Sequence, residues 1–340
     1  MRKELGIGAL LIVLCGVLAA LNPQFLELQN LQNLSLLIGL FGIFSIGMGV
    51  IIITGGIDLS VGSVFALQGV LLSIMLREWH WPWLIASLAS IGSVMVLGLA
   101  HAFFITKVRL QPFIVTLCGL LIYRGMARSI SHDETKGFGT ESWGPLRWLA
   151  KGYVGPLPVA FILLLVIAAI MWVVLHRSVY GRYLYAVGRN EEAARYSGIN
   201  TDRIIGSVYV LSMLLAGISG ILFALWVNSI SPSNHGSFYE LYGIAAAVLG
   251  GCSLRGGEGS IIGILLGTAL LQVLQNLVNL LGIPSSYNFA VMGGVILLGV
   301  TVDQLLGNRR RRRKTVPAEG GTPTPGGMEV VPVGANASSG

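Results

Sequence analysis

Apolar runs long enough to cross a membrane recur along most of this chain. Hydrophobic residues make up 54% of the 340 residues and charged residues only 11%, whereas a soluble domain carries about 25% charged residues. A membrane-crossing helix needs roughly 20 apolar residues. About ten segments qualify on that length, centred near residues 13, 45, 69, 94, 121, 166, 216, 246, 271 and 296. The sequence predicts an all-α polytopic membrane protein with about ten transmembrane helices.

Two of these segments, near residues 69 and 246, are short and flanked by glycine. Broken or re-entrant helices have this appearance, and they survive inside a membrane only where protein or a water-filled cavity satisfies their backbone. We therefore expect half-helices at both places. The first apolar run, residues 5–21, lacks a small-residue cleavage site and is predicted to be a retained helix.

The predicted transmembrane domain covers residues 1–308, and the rest of the chain has a different composition. Residues 309–314 are all Arg or Lys and supply most of the net charge of +7. Such a cluster anchors topology or attracts anionic lipid headgroups, so membrane lipid is the expected partner and nucleic acid is not. Residues 315–340 are rich in Pro, Gly and Ser. The segment 309–340 is thus predicted to be a basic cluster followed by a disordered tail.

The distribution of Lys and Arg predicts the orientation of the helices. Ten crossings place both termini on one side, and cytoplasmic loops carry an excess of Lys and Arg. Sixteen of the 22 basic residues fall on the side that holds the termini, namely Arg2, Lys3, Lys107, Arg109, Arg177, Arg182, Arg189, Arg195, Arg203, Arg255, Arg309 to Arg313 and Lys314. The N- and C-termini are therefore expected in the cytoplasm.

Two Gly-rich motifs interrupt the apolar runs in a similar way. The first motif, residues 54–63, and the second motif, residues 249–260, each contain a Gly pair, a short polar break with Leu and Ser, and a Gly-Ser that opens the next run. Both are predicted on the cytoplasmic side, as in a parallel internal repeat or as two similar turns. The residues of interest are Gly55, Gly56, Asp58, Ser60, Gly250, Gly251 and Ser253.

Asp58 of the first motif has two interpretations. It can cap a helix that begins at Leu59, at the membrane interface. It can also belong to a gate at the inner mouth of a pathway, because charges within membranes are usually functional.

A predicted cytoplasmic stretch between the segments near 166 and 216 contains a short helix with well-defined ends. Asn190 can cap its first turn, Glu191 and Glu192 lie at the positive end of the helix dipole, and Gly198 can terminate it. The small side chains of Ala193, Ala194 and Ser197 form a face that fits a groove on a cytoplasmic partner, with Tyr196 as an anchor. A basic topology loop is the alternative.

Polar residues follow one face of the segment near 271. They are Thr268, Gln272, Gln275, Asn276 and Asn279, at spacings that place them on one side of a helix. Uncharged amides offer hydrogen-bond donors and acceptors to a neutral polar solute along a route. The same stripe can instead form interhelical hydrogen bonds, so both interpretations stay open.

Three passages together resemble the ribose-type sugar permease family. They are the Gly55-Gly56-Ile57-Asp58-Leu59-Ser60-Val61-Gly62-Ser63 run, the Arg189-Asn190-Glu191-Glu192-Ala193-Ala194 loop with Ser197-Gly198-Ile199, and the stretch from Ala246 to Gly259. The family comprises membrane subunits of ATP-binding-cassette importers for ribose, xylose, rhamnose, autoinducer-2 and related sugars. The resemblance covers roughly residues 1–306. The chain departs from it at Tyr242, where the family usually has Asp.

The resemblance implies an inner-membrane subunit that imports a monosaccharide and has no ATPase activity of its own. It implies three partners, namely a cytoplasmic ATPase, a periplasmic sugar-binding protein and a second permease subunit. It also implies that Glu192, Ala193, Ala194, Ser197 and Gly198 couple the permease to the ATPase. Independently, the chain has no phosphate-binding P-loop. No metal site, catalytic residue or cofactor is expected.

Three other functions fit parts of the sequence. A secondary sugar transporter would usually need an acid near the bilayer centre, and Asp58, Glu240 and Asp303 are expected at segment ends. A channel would leave the capped cytoplasmic helix without a purpose. An intramembrane serine protease is suggested by Ser219 between glycines, but the hydroxyl needs a base, and no histidine adjoins it in sequence.

Overall fold

The computed structural model describes residues 2–141, 143–284, 287, 290, 293–294, 297 and 301. The chain divides into two compact units, Met1–Gly299 and Val300–Gly340. The predicted tail at 309–340 and the predicted segment near 296 lie outside or mostly outside the described residues, so the domain boundary at 308 stays a prediction.

The described part of the first unit is built almost entirely from helices. They are α1 (Arg2–Leu21), α2 (Leu28–Ile53), α3 (Val61–Arg77), α4 (Trp83–Thr106), α5 (Pro112–Ile130), α6 (Leu146–Lys151), α7 (Val159–His176), α8 (Val179–Arg189), α9 (Glu191–Tyr196), α10 (Thr201–Val227), α11 (Tyr239–Leu249) and α12 (Ile261–Leu280). A 3-10 helix, Pro23–Leu26, precedes α2. The described part of the chain is thus mostly helical, and the count of ten transmembrane helices stays a prediction.

Seven of the described helices are long and apolar enough to cross a membrane, namely α1, α2, α4, α5, α7, α10 and α12. The other two apolar helices, α3 and α11, have 17 and 11 residues and match the predicted short segments near 69 and 246. The segment 107–111, helices α8 and α9 and both motifs lie at one end of the bundle, which we call the α9 face.

Four short strands cover the opposite face. β1 (Lys136–Gly137) pairs antiparallel with β4 (Ser229–Ile230), with Lys136 opposite Ile230. β2 (Tyr153–Val154) and β3 (Leu157–Pro158) form a hairpin. The pairing of β1 with β4 fixes the loop after α5 to the end of α10, and the Ser73 hydroxyl of α3 donates to Gly137 O at 2.9 Å.

Helices α3 and α11 both begin within the bundle, near Phe44 of α2. Phe44 contacts Phe65 of α3 and Tyr239 of α11, with ring centroids 5.3 and 6.4 Å apart. Phe44 precedes the end of α2 by nine residues, or about 14 Å at the helical rise, and the hydrocarbon core is about 30 Å thick. Residues 56–60 lead from the α9 face, and residues 231–238 lead from the opposite face, to the starts of these two helices without regular helical structure.

Protein groups satisfy the irregular backbone of residues 54–60. Gly56 N donates to Ile51 O at 3.1 Å. Ile57 O accepts from Thr116 Oγ1 of α5 at 3.4 Å and from the Tyr209 hydroxyl of α10 at 3.5 Å. This arrangement is what a break inside a membrane requires, because no water is there to bond the free groups.

The two interrupted segments touch where α3 and α11 begin. A Cβ atom added to Gly62 would lie 2.2 Å from Gly236 O and 2.4 Å from Glu240 Oε2. Neither backbone nor the buried carboxylate can retreat easily in a packed interior. Only glycine allows this approach.

We predict that Gly62→Ala lowers the free energy of unfolding by about 1 to 3 kcal/mol, because the methyl group overpacks the junction. Gly92→Ala on α4 is the matched control, since no atom lies within 4 Å of its added Cβ. Thermal unfolding of both variants in detergent checks this. Equal melting temperatures would contradict the proposed junction.

Candidate coupling and gating site

Helix α9 is a short helix with the ends that the sequence predicts. Asn190 Oδ1 accepts from Ala193 N at 2.9 Å, so Asn190 is its N-cap. Gly198 adopts a left-handed conformation with φ +85°, which suits glycine at a helix end. Glu191 lies in the first turn and pairs with Arg195 at 2.8 Å. The predicted capped helix is therefore present.

The side chains of α9 divide into an outward and an inward set. Glu192, Ala193, Ser197 and Gly198 are exposed, and Tyr196 is 92% exposed. Ala194 is buried instead against the bundle. The expected small-residue face of α9 thus loses Ala194, because helical spacing turns that residue toward the protein.

An ion-pair network connects α9 to the start of α5 and α10. Asp202 accepts from Arg109 at 2.9 Å and from Arg195 at 3.4 Å, and it lies 3.8 Å from Lys107 Nζ. Lys107 and Arg109 belong to the segment that leads from α4 to α5. Exposed pairs of this kind contribute little stability, typically about 0 to 1 kcal/mol each. Their effect is to fix where α9 sits.

The two motifs contact each other at the α9 face. Gly257 N donates to Ile53 O at 2.8 Å. A Cβ on Gly256 would lie 3.0 Å from Gly55 N. Gly250 packs against α12, since its added Cβ would lie 2.4 Å from Gly263 O. Ser253 N closes the second motif by donating to Glu258 O at 3.1 Å.

Asp58 lies inside the protein and does not cap a helix that begins at Leu59. Helix α3 begins two residues later, at Val61, with Ser60 at its N-cap position. Asp58 Oδ1 accepts from Ser60 N at 2.8 Å and from Ser60 Oγ at 2.7 Å, and its side chain is fully buried. The cap interpretation was wrong in position because the extended segment 56–60 carries Asp58 below the surface.

A buried polar cluster surrounds the end of the first motif. The Tyr123 hydroxyl of α5 is 2.9 Å from His101 Nε2 of α4, and the edge of Tyr209 faces the His101 ring. A Cβ on Gly119 would lie 2.9 Å from His101 Nε2 and 3.3 Å from Ser60 Cβ. Asp58 Oδ2 and His101 Nδ1 are buried without a hydrogen-bond partner in the described part of the chain.

Sequence reasoning did not assign His101, Tyr123 and Tyr209 to this site. Each stands alone among apolar residues of a different helix, and their meeting depends on how α4, α5 and α10 pack. The available signal was that an ionisable residue within a membrane segment is a functional hypothesis by default.

Glu240 lies at a segment end, as expected. It belongs to the first turn of α11 and is buried, with 8% of its surface exposed. Nearby, Arg124 of α5 donates to His235 O at 2.7 Å and to Pro232 O at 3.2 Å, so it bonds the irregular segment before α11. Asp303, the third acid considered, lies outside the described residues.

The polar stripe on α12 separates into different environments. Thr268 donates to Ile264 O within its own helix at 2.9 Å. Asn276 and Asn30 of α2 exchange two hydrogen bonds, at 2.7 and 3.2 Å. Gln272 is buried with an unpartnered Oε1, Gln275 is half-buried and Asn279 is exposed. Asn276 therefore acts as an interhelical contact, and a pathway role for the others stays a prediction.

Ser219 has no arrangement for nucleophilic catalysis. Its hydroxyl is buried and donates to Leu40 O of α2 at 2.7 Å. Among the described residues, neither His101 nor His235 is a hydrogen-bond partner of Ser219. A base is needed to activate a serine hydroxyl. Small residues around Ser219 serve helix packing.

Comparison with known proteins identifies the family of this bundle. The sequence profile described as branched-chain amino acid transport system, permease component, matches residues 30–300. The chain belongs to this permease family. The ribose import permease of Bacillus subtilis is 38% identical over 303 residues, covering 89% of this chain and 93% of that protein. The permease is therefore a multi-pass inner-membrane protein.

Other relatives give the same result. The ribose import permease of Escherichia coli K12 is 38% identical over 295 residues, covering 86% of the permease and 91% of that protein. The D-allose transport system permease of the same strain is 32% identical over 301 residues, covering 87% and 90%. No solved structure matches the permease.

Tyr242, the position at which the sequence departs from the resemblance, packs inside the permease. Its ring lies 5.3 Å from the Phe41 ring, and the residue is 6% exposed.

We predict that Asn30→Ala and Asn276→Ala each destabilise the permease by about 0.6 to 1.7 kcal/mol. The loss in the double variant should be smaller than the sum of the two single losses, because both remove the Asn30–Asn276 pair and only Asn30→Ala also removes the bond from Asn30 to Phe25 O at 3.0 Å. A double-mutant cycle of unfolding free energies in detergent measures this. Strictly additive losses would show that the two amides act separately.

Proposed function

We propose that this permease imports a monosaccharide as the membrane subunit of an ATP-binding-cassette transporter. The observation that carries the proposal is α9, a capped helix whose Glu192, Ala193 and Tyr196 side chains project outward from one face of the bundle. Exposed aromatic residues of this kind are frequent anchors in protein interfaces. Membership of the permease family supports a nucleotide-hydrolysing partner as the protein that α9 contacts.

The proposed substrate class comes from the relatives. The family description names branched-chain amino acids, but the sugar permeases among the relatives import ribose, allose and fructose by their names. A ribose-like pentose, rhamnose or a related neutral sugar is therefore the substrate that we propose. We do not propose a free amino acid as its substrate.

We infer that the α9 face is cytoplasmic and that ten helices place both termini there. Eight basic residues lie at this face after α1, namely Lys107, Arg109, Arg177, Arg182, Arg189, Arg195, Arg203 and Arg255. Six lie toward the opposite face, namely Arg77, Arg124, Arg128, Lys136, Arg147 and Lys151. This excess agrees with the positive-inside rule. Trp79, Trp81, Trp83, Trp143, Trp148 and Trp226 all lie toward the opposite face, where an outer interfacial belt is expected.

In the proposed mechanism, the ATPase drives alternating access through α9. A periplasmic binding protein delivers the sugar to the loops of the opposite face, residues 129–156 and 229–239, and a second permease subunit completes the pathway. Closure of paired ATPase domains on Glu192, Ala193, Ser197 and Gly198 would shift the two motifs that carry Gly55, Asp58, Gly250 and Ser253. The permease itself performs no hydrolysis, so it is a transport subunit and not an enzyme.

We expect no uptake of radiolabelled monosaccharide by the permease alone in liposomes, and ATP-dependent uptake when its ATPase and binding protein are added. Uptake should persist when an ionophore collapses the proton gradient. ATP-driven uptake by the permease alone would refute the proposal. Loss of uptake with the proton gradient would favour secondary transport, for which the buried acids Asp58 and Glu240 are candidates.

The variant Glu192→Arg with Gly198→Trp should abolish uptake by the complex while membrane insertion stays normal. A reversed charge and a bulky residue prevent docking of α9 on the ATPase. The matched control is Glu27→Arg with Gly282→Trp on the opposite face, where Gly282 has a left-handed φ of +68° and open space, like Gly198. Normal uptake in the α9 variant would overturn the coupling assignment.

A further inference from the structure

We propose that α8 is part of the coupling element, with Gly188 and Tyr185 as positioning residues that lock it onto both Gly-rich motifs. The inference rests on the proposed function and adds a route from α9 into the membrane. In this route the nucleotide-driven movement of α9 reaches α2, α3 and α12 through α8, and not through α9 contacts alone.

Gly188 forms the centre of a junction made only of backbone. A Cβ atom on Gly188 would lie 1.8 Å from Ile53 O and 2.7 Å from Gly257 N. A Cβ on Gly256 would lie 2.5 Å from Gly188 O and 3.0 Å from Gly55 N. The end of α8, the first motif and the second motif therefore touch with no side chain between them. Such contacts transmit displacement because close-packed atoms have little room to yield.

Tyr185 adds a hydrogen bond one turn earlier on α8. Its hydroxyl donates to Gly259 O of the second motif at 2.7 Å. Burial raises the pKa of Tyr185 to about 12, so the hydroxyl stays protonated at physiological pH and can donate. The next residue, Ser260, is the N-cap of α12, where its Oγ accepts from Gly263 N at 3.0 Å. Tyr185 thus holds the start of α12.

No flexible linker separates α8 from α9. Asn190 ends α8 by donating from its N–H to Ala186 O at 3.1 Å, and it begins α9 as the N-cap. One residue therefore serves both helices. A displacement of α9 by its partner must carry the end of α8 with it, because there is no loop to absorb the motion.

The first motif also links the junction to the buried polar cluster. From Gly55 the first motif continues to Ile57, whose carbonyl contacts Thr116 of α5 and Tyr209 of α10, and to the buried Asp58. Movement of α8 would reach these contacts through a chain of backbone atoms. A purely structural role for the junction predicts instead that its loss lowers stability, hydrolysis and uptake together.

The test uses the full complex of permease, ATPase and binding protein in proteoliposomes, with ATP hydrolysis and monosaccharide uptake measured in parallel. Tyr185→Phe removes the bond to Gly259 and keeps the ring. The matched control is Tyr183→Phe on the exposed side of α8, whose hydroxyl has no hydrogen-bond partner among the described residues. Co-purification reports assembly, and thermal unfolding reports stability.

We expect Tyr185→Phe to assemble normally and to hydrolyse about 3 to 10 times more ATP per sugar imported, the change given by losing one hydrogen bond. Tyr183→Phe should keep the wild-type ratio. Gly188→Ala should raise the ratio further in whatever fraction assembles.

A wild-type ratio in Tyr185→Phe would overturn the role of α8 and leave the proposed function intact. A parallel fall in stability, hydrolysis and uptake, with an unchanged ratio of ATP hydrolysed to sugar imported, would also overturn the role of α8, because it would show that the substitution affects folding. Failure of the wild-type complex to import any monosaccharide would overturn the proposed function, and this inference with it.

Discussion

The structure depends on satisfying irregular backbone inside a membrane. Residues 56–60 and 231–238 carry the chain without regular helix from the two faces to the starts of α3 and α11, and each N–H or C=O there that is withdrawn from water must find a protein partner. Ile57 O bonds to α5 and α10, and Arg124 of α5 bonds to the carbonyls of Pro232 and His235. These demands place α5 and α10 beside the two interruptions and explain why α3 and α11 start against each other at Gly62 and Gly236.

The first motif also connects the α9 face to the interior of the bundle. Because the first motif runs from the α9 face down to Asp58, one continuous stretch of chain joins the glycine junction at Gly188 to the buried cluster of His101, Tyr123 and Tyr209. Glycine at the α9-face end of the first motif permits backbone contact. At its buried end, polar side chains form hydrogen bonds with backbone N–H and C=O groups that have no helical partner. A displacement at the α9 face can therefore reach the interior through the backbone of the first motif.

Sequence patterns located elements well where the signal was local. The spacing of apolar runs predicts the helices α1 to α5, α7 and α10 to α12, and the Gly-flanked short runs predict α3 and α11 as half-helices. Asn190 and Gly198 end α9 as predicted, since capping involves only neighbouring residues. Local patterns placed Asp58 at the interface, whereas the structure buries it, because burial depends on how far an irregular segment descends into the bundle. They also included Ala194 in an outward face, although the bundle covers it.

By itself, the sequence determined that this is a polytopic inner-membrane permease with two Gly-rich motifs on one side and a short capped helix beside them. Composition and glycine spacing suffice for this because membrane insertion and capping are decided by short stretches of chain. Only the tertiary structure decided that Gly188 joins both motifs, that Asn276 pairs with Asn30, and that His101 meets Tyr123. These contacts join residues far apart in the chain, and their geometry arises from the packing of helices against one another.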